Sequence, residues 1–362
     1  MDARKGIELL LTPGVAPSDW ESLETVFRGA ERGDDVDIEA AIGCLRLARV
    51  AKPEIERQHA ALTRAGARLV FRWEDEYPAS LRPVPEPPPA LCVRGRLPAH
   101  DQPAVAIVGT RKPSLAGIGF ARETARTLAL LGVVVVSGMA RGIDTAAHEG
   151  ALAADGLTVA VLGTGVDVVY PPENGTLMQR IASSGGIVSE QLCGMQAFSY
   201  VFPRRNRIIS GMCDAVVVVE GGVRSGALIT AKWALEQGRD VGAVPGFPGS
   251  FRSEGPNQLL KQGAFVVTGA MDIVTHVNRI TERVCADVRR NGGDGGALTG
   301  LDAEAARVYE LLASPAGVDE VAAALGFTIE RAQGLLSVLE IDGRIRRDDA
   351  GQYAHAIPGG CA

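Results

Sequence analysis

The stretch Ala-Val-Ala-Ile-Val-Gly-Thr-Arg (residues 104–111) decides how the fold of this chain is interpreted. An apolar, β-rich run ends in a glycine, a cation follows two residues later, and a helical pattern begins near Gly117. Such an order is typical of a strand-to-helix turn, in which backbone N–H groups and a helix N-terminus face an anion. We therefore predict a phosphate-binding turn at the end of the first strand of an α/β domain.

Apolar runs and helical patterns alternate from residue 104 to residue 275. Most runs are continuously apolar, as expected for parallel strands that helices cover on both faces. The sequence predicts a Rossmann-like, doubly wound and mostly parallel sheet, whose ligands bind at the carboxyl ends of the strands. The predicted strands are Val105–Val108, Val133–Ser137, Thr158–Leu162, Gly186–Ser189, Ala215–Val219, Val241–Val244 and Ala264–Val267. The predicted helices are Gly117–Leu131, Asp144–Ala154, Asn174–Ala182, Asn206–Met212 and Ser225–Gln237.

The N-terminal region predicts a small helical domain and a linker. Residues 1–75 carry helical patterns at Ser18–Phe27, Ile38–Val50 and Ile55–Ala65, which suggest a SAM-like or helix-hairpin-helix-like domain. Its opening Thr-Pro-Gly-Val-Ala-Pro resembles half of a helix-hairpin-helix, but the acidic surroundings favour packing over DNA contact. Residues 76–103 are rich in proline, so we expect an extended linker that is neither helix nor central strand.

Beyond the Rossmann-like domain, assigned to residues 104–284, the sequence predicts a flexible glycine-rich linker at 285–300. Residues 301–362 then show three short helices followed by a β-hairpin, which is the order of a winged helix. The predicted helices are Ala303–Ala313, Val318–Leu325 and Ile329–Ile341.

Charge is unevenly distributed over the 362 residues, whose net charge is −6. Residues 1–103 carry −3 and residues 301–362 carry −5, whereas residues 104–275 and 276–300 each carry +1. The Rossmann-like domain is therefore the one large region whose charge does not oppose a polyanion. If nucleic acid binds, we expect it to bind there.

Composition excludes several classes of protein. No apolar run is long enough to span a bilayer, and the N-terminus lacks a signal-peptide pattern, so we expect a cytoplasmic protein without membrane contact. The six cysteines are scattered with no C-x-x-C pair, which predicts reduced thiols and no metal site. We expect no cofactor.

Glycines and arginines recur in the loops that follow the predicted strands. Glycines let backbone amides approach a phosphate closely, and arginines donate bidentate hydrogen bonds to it. A single loop of this kind is routine in α/β folds, but a row of them suits a backbone that carries several phosphates. The loops are 108–111, 137–144, 162–165, 202–207 and 220–226.

Catalytic signatures are missing from the sequence. The first loop is not G-x-G-x-x-G, and the second strand ends in Ser137 rather than in an acidic residue for a ribose hydroxyl, so a dinucleotide oxidoreductase is disfavoured. There is no P-loop and no G-x-S-x-G motif. We interpret His148 as structural and Asp144 as a helix cap rather than a catalytic base.

The motifs of residues 77–268 resemble those of the DprA/Smf family (DNA processing protein A). They are Val-Gly-Thr-Arg at 108–111, Ser-Gly-Met-Ala-Arg-Gly-Ile-Asp-Thr-Ala-Ala-His at 137–148, Tyr-Pro-Pro-Glu-Asn at 170–174, Ser-Glu at 189–190, Phe-Pro-Arg-Arg-Asn-Arg-Ile-Ile-Ser-Gly at 202–211, Ser-Gly-Ala-Leu-Ile-Thr-Ala at 225–231 and Val-Pro-Gly at 244–246. Departures are small: Gln191 and Leu192 stand where a proline is commoner, and Pro256 where threonine is expected.

The resemblance implies a non-catalytic protein of natural transformation and recombination. It implies binding of incoming single-stranded DNA, loading of RecA recombinase onto strands coated by single-strand-binding protein, and a homodimer formed through the Rossmann-like domain. Arginines would contact phosphates, Phe202 would stack on a base, and backbone amides would complete the track. The expected DNA-binding residues are Gly109, Thr110, Arg111, Ser137, Gly138, Arg141, Gly165, Phe202, Arg204, Arg205, Asn206, Arg207, Ser225 and Gly226.

Two alternatives remain open on the sequence. The 220–226 turn is similar to that of the LOG-like nucleoside-monophosphate phosphoribohydrolases, but Ala227 to Ile229 are apolar where that class has a catalytic glutamate. A plain α/β scaffold without a ligand leaves the arginines unexplained.

A winged helix suggests binding of duplex DNA. The third helix of this one, however, has two glutamates and one arginine and belongs to an acidic domain, so we predict a role in protein interaction or dimerisation instead.

Overall fold

The structure, a computed structural model, describes residues 3–12, 15, 17–29, 50–291, 303–341, 344–348 and 351–355. Nine of the described strands form one sheet, and their bounds are β1 Ala67–Phe71, β2 Ala90–Gly95, β3 Ala104–Val108, β4 Val134–Ser137, β5 Thr158–Leu162, β6 Gly186–Ser189, β7 Ala215–Val218, β8 Asp240–Ala243 and β9 Phe265–Val266. Their order across the sheet is β1-β2-β6-β5-β4-β3-β7-β8-β9. In the run β6-β5-β4-β3-β7-β8-β9, every pair of neighbouring strands is parallel. This confirms the predicted doubly wound, mostly parallel sheet.

Each of the seven predicted strands overlaps a strand of the sheet, and β5 and β6 have the predicted bounds. Their apolar side chains point alternately to the two faces of the sheet. Val105 and Ile107 belong to the core on one face, and Ala106 and Val108 to the core on the other. Both faces are buried, which is why these strands are apolar throughout.

The expectation that residues 76–103 contain no central strand is wrong. Strand β2 lies between β1 and β6 and pairs antiparallel with both. No proline lies between Pro89 and Pro98, so the backbone N–H groups of β2 (Ala90–Gly95) are free to form the ladder. Strand β1 likewise falls in a region for which the sequence predicts helices.

Helices cover both faces of the sheet. The core between one face and its helices contains apolar residues of α4, α5, α10 and α11, and the core on the other face contains those of α7, α8 and α9. The bounds are α4 Leu115–Leu130, α5 Ile143–Ala153, α6 Gly175–Ser184, α7 Val201–Gly211, α8 Gly226–Glu236, α9 Glu254–Lys261, α10 Ala270–His276 and α11 Asn278–Asn291.

Two predicted bounds require correction. Helix α7 begins at Val201, not at Asn206, so the arginine-rich segment that the sequence places in a loop forms the first turns of a helix. Helix α11 continues to Asn291, so the first part of the predicted flexible linker is helical. Its residues contain no glycine or proline before Gly292, and the remainder of the linker lies outside the described residues.

The N-terminal region contains α1 (Ala3–Leu11), α2 (Pro17–Gly29) and α3 (Lys52–Ala65). Helices α2 and α3 confirm the patterns at 18–27 and 55–65. The remaining predicted helix, Ile38–Val50, lies outside the described residues except for Val50. Pro13, Gly14 and Ala16 of the proposed hairpin motif also lie outside them. The helix-hairpin-helix interpretation stays a prediction.

The C-terminal region has the order predicted for a winged helix. Helices α12 (Ala303–Leu311), α13 (Val318–Leu325) and α14 (Ile329–Ile341) precede two short antiparallel strands, β10 (Ile345–Arg347) and β11 (Tyr353–His355). Ala316 forms an additional bridge with Tyr353. The region has its own apolar core, centred on side chains such as Val308 and Leu336. The proposed domain boundaries stay predictions.

Among the described residues, no helix combines the length and the apolar character needed to cross a membrane.

Candidate nucleic-acid interface

The strand order of the sheet reverses between β3 and β7. From β3 the chain proceeds to β4 and β5 on one side, and it later returns to β7 on the other side of β3. The loops after these two strands are joined by hydrogen bonds: the Thr110 amide donates to the Glu220 carbonyl (2.7 Å), and the Val219 amide donates to the Val108 carbonyl (3.1 Å). Such a switch point is where open α/β sheets bind their ligands.

Glycines at two positions allow the loops of β3 and β4 to meet. A Cβ on Gly109 would lie 2.6 Å from the Ile143 side chain, closer than packing permits. Gly142 has a φ of +82°, and a Cβ there would lie 2.5 Å from the Thr110 carbonyl oxygen. Only glycine combines this backbone conformation with so close a contact.

A shallow pocket lies at the carboxyl ends of β3, β4 and β5, and we refer to it as the strand-end pocket. Its cavity volume is about 20 Å³, which is room for about one water molecule. It is thus a surface depression rather than an enclosed chamber. Its lining includes four cationic or aromatic side chains from different segments of the chain, namely Arg111, Arg141, Tyr170 and Phe202, and the floor includes Arg205.

Arg111 and Phe202 form the central contact of the pocket. The Arg111 guanidinium carbon lies 5.5 Å from the centroid of the Phe202 ring, within the range of a cation–π interaction. The Phe202 ring also contacts Tyr170, with 5.3 Å between ring centroids. Arg111 is exposed and forms no ion pair with the described residues. An exposed cation and an aromatic face therefore lie side by side.

Two further exposed arginines are paired with carboxylates. The Arg141 Nη2 atom donates to Glu173 at 3.1 Å, and both side chains are about half exposed. Arg204 lies 3.5 Å from Glu190 and keeps 63% of its side chain exposed. An exposed pair such as Arg141–Glu173 contributes at most about 1 kcal/mol, so a phosphate can replace that carboxylate as partner at small cost. Glu190 also pairs with Arg207 and keeps that partner when Arg204 moves away.

Arg205 is buried beneath the pocket, with 7% of its surface exposed. Its guanidinium donates to the carbonyl of Gly138 at 2.9 Å and to that of Val161. Burial lowers the pKa of Arg205 to about 10, although the Asp144 carboxylate acts in the opposite direction. Arg205 is therefore charged at neutral pH, and it supplies a fixed positive charge to the floor rather than a side chain that reaches out to a ligand.

Arg207 is more deeply buried, with 1% of its surface exposed. Its Nη2 atom lies 2.5 Å from Glu190 Oε1, and the Glu190 side chain is itself only 13% exposed. The side chain therefore has no route to a phosphate in this structure. We leave Arg207 out of the proposed phosphate contacts.

Two backbone amides of the predicted anion track, those of Gly138 and Gly165, are engaged by the protein itself. The buried Asp144 carboxylate accepts from the amides of Gly138 (3.1 Å) and Ala140 (3.4 Å). Burial raises the pKa of Asp144 above its ordinary value, while Arg205 and these amides act against that shift. The Gly165 amide donates to the Met195 carbonyl at 2.9 Å. Asp144 thus closes the loop after β4 from the second position of α5 rather than from its N-cap.

The remaining predicted residues shape the site. The Ser137 hydroxyl is buried and donates to the Ile107 carbonyl at 2.7 Å, and the Thr110 hydroxyl accepts from the Lys112 amide at 3.2 Å. The Asn206 side-chain amide donates to the Gly226 carbonyl at 3.2 Å, which ties α7 to the start of α8. Ser225 is the N-cap of α8. These residues hold loops in place, and none of them lines the strand-end pocket.

The described residues show no carboxylate, histidine or cysteine in the lining of the strand-end pocket. In the same part of the chain, no group of three acidic, histidine or cysteine side chains is placed to hold a metal. His148 is buried, and its Nδ1 atom lies 2.7 Å from the Thr158 hydroxyl. Its contacts are those of a structural residue, as the sequence suggested.

Sequence reasoning missed three residues of the site. Tyr170 and Glu173 belong to a quoted family motif without a role in the sequence analysis, and the structure places them against Phe202 and Arg141. Glu190 pairs with both Arg204 and Arg207. The motifs themselves were the available signal, because an acidic residue that follows a strand beside an arginine cluster is a candidate ion-pair partner.

Fold and site together define a class of protein. It is a doubly wound α/β protein whose strand ends present arginines beside an aromatic ring, with a winged helix at the C-terminal side. Exposed cations next to a stacking surface match the chemistry of a chain of phosphates and bases.

Comparisons with known proteins agree with this class. Residues 68–278 match the family model described as DNA recombination-mediator protein A, and residues 295–351 match the DprA winged helix domain. The putative DNA processing protein DprA of Mycobacterium tuberculosis is 39% identical over 317 residues, which cover 81% of this chain and 80% of the relative.

Two solved structures are similar to this chain. DNA processing protein A from Streptococcus pneumoniae matches with a TM-score of 0.61 and 33% identity, covering 76% of this chain and 98% of that one. DNA processing protein A from Helicobacter pylori, solved for its single-stranded DNA binding mode, matches with a TM-score of 0.53 and 27% identity, covering 59% of this chain and 96% of that one. The chain belongs to the DprA family of DNA processing proteins.

Proposed function

We propose that this protein binds single-stranded DNA without sequence preference, across the strand-end pocket. The contact between Arg111 and Phe202 carries the proposal, because it places an exposed cation 5.5 Å from the centre of an aromatic ring. The ring stacks on a base and the guanidinium neutralises the adjacent phosphate. Stacking of this kind tolerates every base, since each base has a π face.

The geometry favours a single strand over a duplex. In a duplex the base faces are already stacked, so Phe202 gains a partner only from an unpaired strand. The pocket is also too shallow to enclose a nucleotide, whereas an extended strand can lie across it. The Helicobacter pylori relative, which has a described single-stranded DNA binding mode, supports this assignment.

We propose further that the protein is not an enzyme. The lining of the pocket offers arginines, glycines and aromatic residues, but within the described part of the chain it offers no carboxylate, histidine or cysteine. Asp144, at the second position of α5, is buried and accepts backbone hydrogen bonds. These groups suit binding rather than bond breaking.

Membership of the DprA family supports a wider role. In this proposal the protein acts in the cytoplasm, forms a homodimer through its Rossmann-like domain, and protects incoming DNA during natural transformation. It loads RecA recombinase onto strands coated by single-strand-binding protein. Light scattering of the purified protein tests the dimer, and RecA-dependent strand exchange on coated DNA tests the loading role.

The direct test is a salt titration of binding to a fluorescent single-stranded oligonucleotide, with a duplex competitor. We expect strand-selective binding, and for Arg111→Ala a lower affinity with a salt slope that is smaller by about 0.7, the value for one lost phosphate contact on a single strand. Arg180→Ala is the matched control, because Arg180 is an exposed arginine in the second half of α6 and does not line the pocket.

Equal binding of single strand and duplex, together with an unchanged Arg111→Ala variant, would refute DNA binding at this site. Nucleoside monophosphates, the substrates of the LOG-like alternative, would then be tested for binding and hydrolysis.

A further inference from the structure

The loop that joins β8 to α9, residues 244–253, exposes two phenylalanines that the proposed site does not use. Phe247 is 82% exposed and Phe251 is 71% exposed. We call this pair the loop aromatics. Their exposure leaves both rings open to contact with a ligand.

Hydrogen bonds hold this loop in one conformation. The Ser250 amide donates to the Phe247 carbonyl at 3.1 Å, and the Gly221 amide donates to the Arg252 carbonyl at 2.6 Å. The Asn257 side chain pairs with both backbone groups of Gly246, at 2.9 and 3.1 Å. The rings are therefore presented by a fixed backbone.

Phe251 rests on the glycines of the loop after β7. A Cβ on Gly222 would lie 2.5 Å from the Phe251 ring, so the ring lies directly against the glycine backbone. Contact on one side and solvent on the other leave a ring surface available for stacking. Because one side of the Phe251 ring is held against Gly222, the ring forms a fixed flat surface on which a base can stack.

The loop is continuous with the proposed DNA site. The Arg252 Nε atom donates to the Lys112 carbonyl at 2.8 Å, and Lys112 follows Arg111 directly in the chain. Strand β8 lies two strands from β3 in the sheet, a distance of about 10 Å at the usual strand spacing. The strand-end pocket lies on the β4–β5 side of β3, so the loop aromatics lie on the opposite side of the switch point.

Charge in this region suits a polyanion. Lys112, Arg224 and Arg252 are exposed in the loops after β3, β7 and β8, against one exposed carboxylate, Glu254. Lys112 and Arg224 form no ion pair with any residue that the structure describes. Aromatic rings between exposed cations are the combination that binds single strands.

We propose that Phe247 and Phe251 form a second base-stacking platform, on which a bound single strand continues after it leaves the strand-end pocket. Lys112, Arg224 and Arg252 neutralise the phosphates of these nucleotides. The proposal rests on the proposed function, since the same strand occupies both places. In this proposal the bound strand contacts the protein on both sides of the switch point, and its contacts do not end at Arg111.

The test compares a short oligothymidylate of about four nucleotides with a long one of about twelve, a range that spans typical single-strand site sizes. We expect the double variant Phe247→Ala/Phe251→Ala to bind the long oligonucleotide more weakly than the wild type by about thirtyfold or more, and the short one equally well. Leu235→Ala is the control, because Leu235 is a similarly exposed apolar residue at the other end of α8. Phe251→Trp adds a direct readout, since its fluorescence should be quenched by the long oligonucleotide only.

Failure of this inference is distinguishable from failure of the proposed function. If Arg111→Ala weakens binding while the double variant binds both oligonucleotides as the wild type does, the platform is refuted and the DNA site stands. If the double variant changes the oligomeric state by light scattering and keeps its affinity for the long oligonucleotide, the loop aromatics contact a second copy and the platform is refuted. If the wild type binds neither oligonucleotide, both proposals fail.

Discussion

The guanidinium of Arg111 lies over the ring of Phe202, with 5.5 Å between the guanidinium carbon and the ring centroid. The two residues come from different elements, Arg111 from the loop after β3 and Phe202 from the first turn of α7. A Cβ on Gly163 would lie 3.1 Å from the Phe202 ring, so the ring also lies close to the end of β5. Three neighbouring segments thus fix the cation and the aromatic face relative to each other.

The first prediction concerns the aromatic half of this pair. Replacing Phe202 with alanine should weaken binding of single-stranded DNA by about 1–3 kcal/mol, the usual contribution of one stacked base. The salt slope should stay at the wild-type value, because no phosphate contact is removed. Fluorescence anisotropy at several salt concentrations measures both quantities, and Phe202→Trp should retain affinity. A Phe202→Ala variant with wild-type affinity would contradict base stacking at this ring.

The second prediction separates the buried arginine from the exposed one. Removing one partner of a buried ion pair costs about 3–5 kcal/mol, so Arg207→Met should lower the free energy of unfolding by an amount of that order. Arg204 shares the same carboxylate but is 63% exposed, and Arg204→Met should change stability by less than about 1 kcal/mol. Urea denaturation measures both variants. Equal stabilities would contradict the distinction drawn from burial.

DNA affinity provides the complementary readout for these two variants. We expect Arg204→Met to weaken binding, because the variant removes an exposed positive charge near the proposed path of the strand. The folded fraction of Arg207→Met should bind as the wild type does. A reversed result would restore Arg207 to the site and remove Arg204 from it.

The third prediction concerns the glycine that lets two loops meet. Gly142→Ala combines a left-handed backbone, with φ of +82°, and a 2.5 Å contact with the Thr110 carbonyl. Gly238 is the matched control, because its φ is +68° and nothing lies within 4 Å of its would-be Cβ. Gly238→Ala should cost only the backbone strain, about 1–2 kcal/mol, and Gly142→Ala clearly more.

Because Thr110 precedes Arg111, the same substitution at Gly142 should also weaken DNA binding, whereas Gly238→Ala should leave it unchanged. Thermal unfolding and anisotropy together test the pair. Similar losses of stability in Gly142→Ala and Gly238→Ala would contradict this prediction. They would show that the Thr110 carbonyl moves away from the new Cβ at no cost in free energy.

The fourth prediction is a pH dependence that arises from His148. The Thr158 hydroxyl donates to the Val135 carbonyl, so it accepts from His148 Nδ1–H, and the buried Nε2 atom has no partner among the described residues. Burial lowers the pKa of His148 from 6.5 to about 3. The unfolded chain therefore takes up a proton below pH 6.5 that the folded chain does not, and this group lowers stability as pH falls from about 6.5 towards 3.

Between about pH 6.5 and 3, His148 lowers the free energy of unfolding by up to about 1.4 kcal/mol for each unit by which the pH falls. Asp144 acts in the opposite direction, because its raised pKa lets the folded chain keep a proton that the unfolded chain loses. The difference in the free energy of unfolding between wild type and His148→Gln isolates the contribution of the histidine. Denaturation of both proteins at several pH values measures this difference. If both proteins lose stability in parallel between about pH 7 and 5, the histidine is not the cause.

Much of this fold follows from local sequence. Parallel strands buried on both faces are continuously apolar, which is why the sequence predicts Thr158–Leu162 and Gly186–Ser189 with the bounds that the structure has. Strand β2 escapes such a prediction because the prolines before it dominate the local pattern, while its pairing with β1 and β6 depends on distant residues. Local composition does not report such pairing.

The site was less predictable than the fold. Arginine is rarely buried, so three arginines within Arg204–Arg207 all suggest surface contacts. The structure exposes Arg204, places Arg205 beneath the pocket and buries Arg207 against Glu190. Which arginine is buried depends on how α7 packs on the sheet and where Glu190 lies, and neither is encoded within the segment itself.

The last prediction concerns the winged helix. Its third helix, α14, carries Arg331, which pairs with Glu304 at 2.6 Å, and its sequence also contains Glu330 and Glu340. The arginine is thus neutralised within the domain, and the described part of this helix offers no positive face to a duplex. We therefore expect that removing residues 290–362 leaves affinity for single-stranded DNA within about twofold of the wild type, because the strand-end pocket is retained.

The truncated protein should instead lose a protein contact. We expect either a lower mass by light scattering than the lost residues explain or weaker capture of RecA, measured at the same protein concentration as the full chain. The variant Arg346→Ala/Arg347→Ala is the control for charge, since these wing residues are the exposed cations of β10. Lost DNA affinity together with an unchanged oligomeric state and unchanged RecA capture would overturn this assignment and make the winged helix a DNA-binding element.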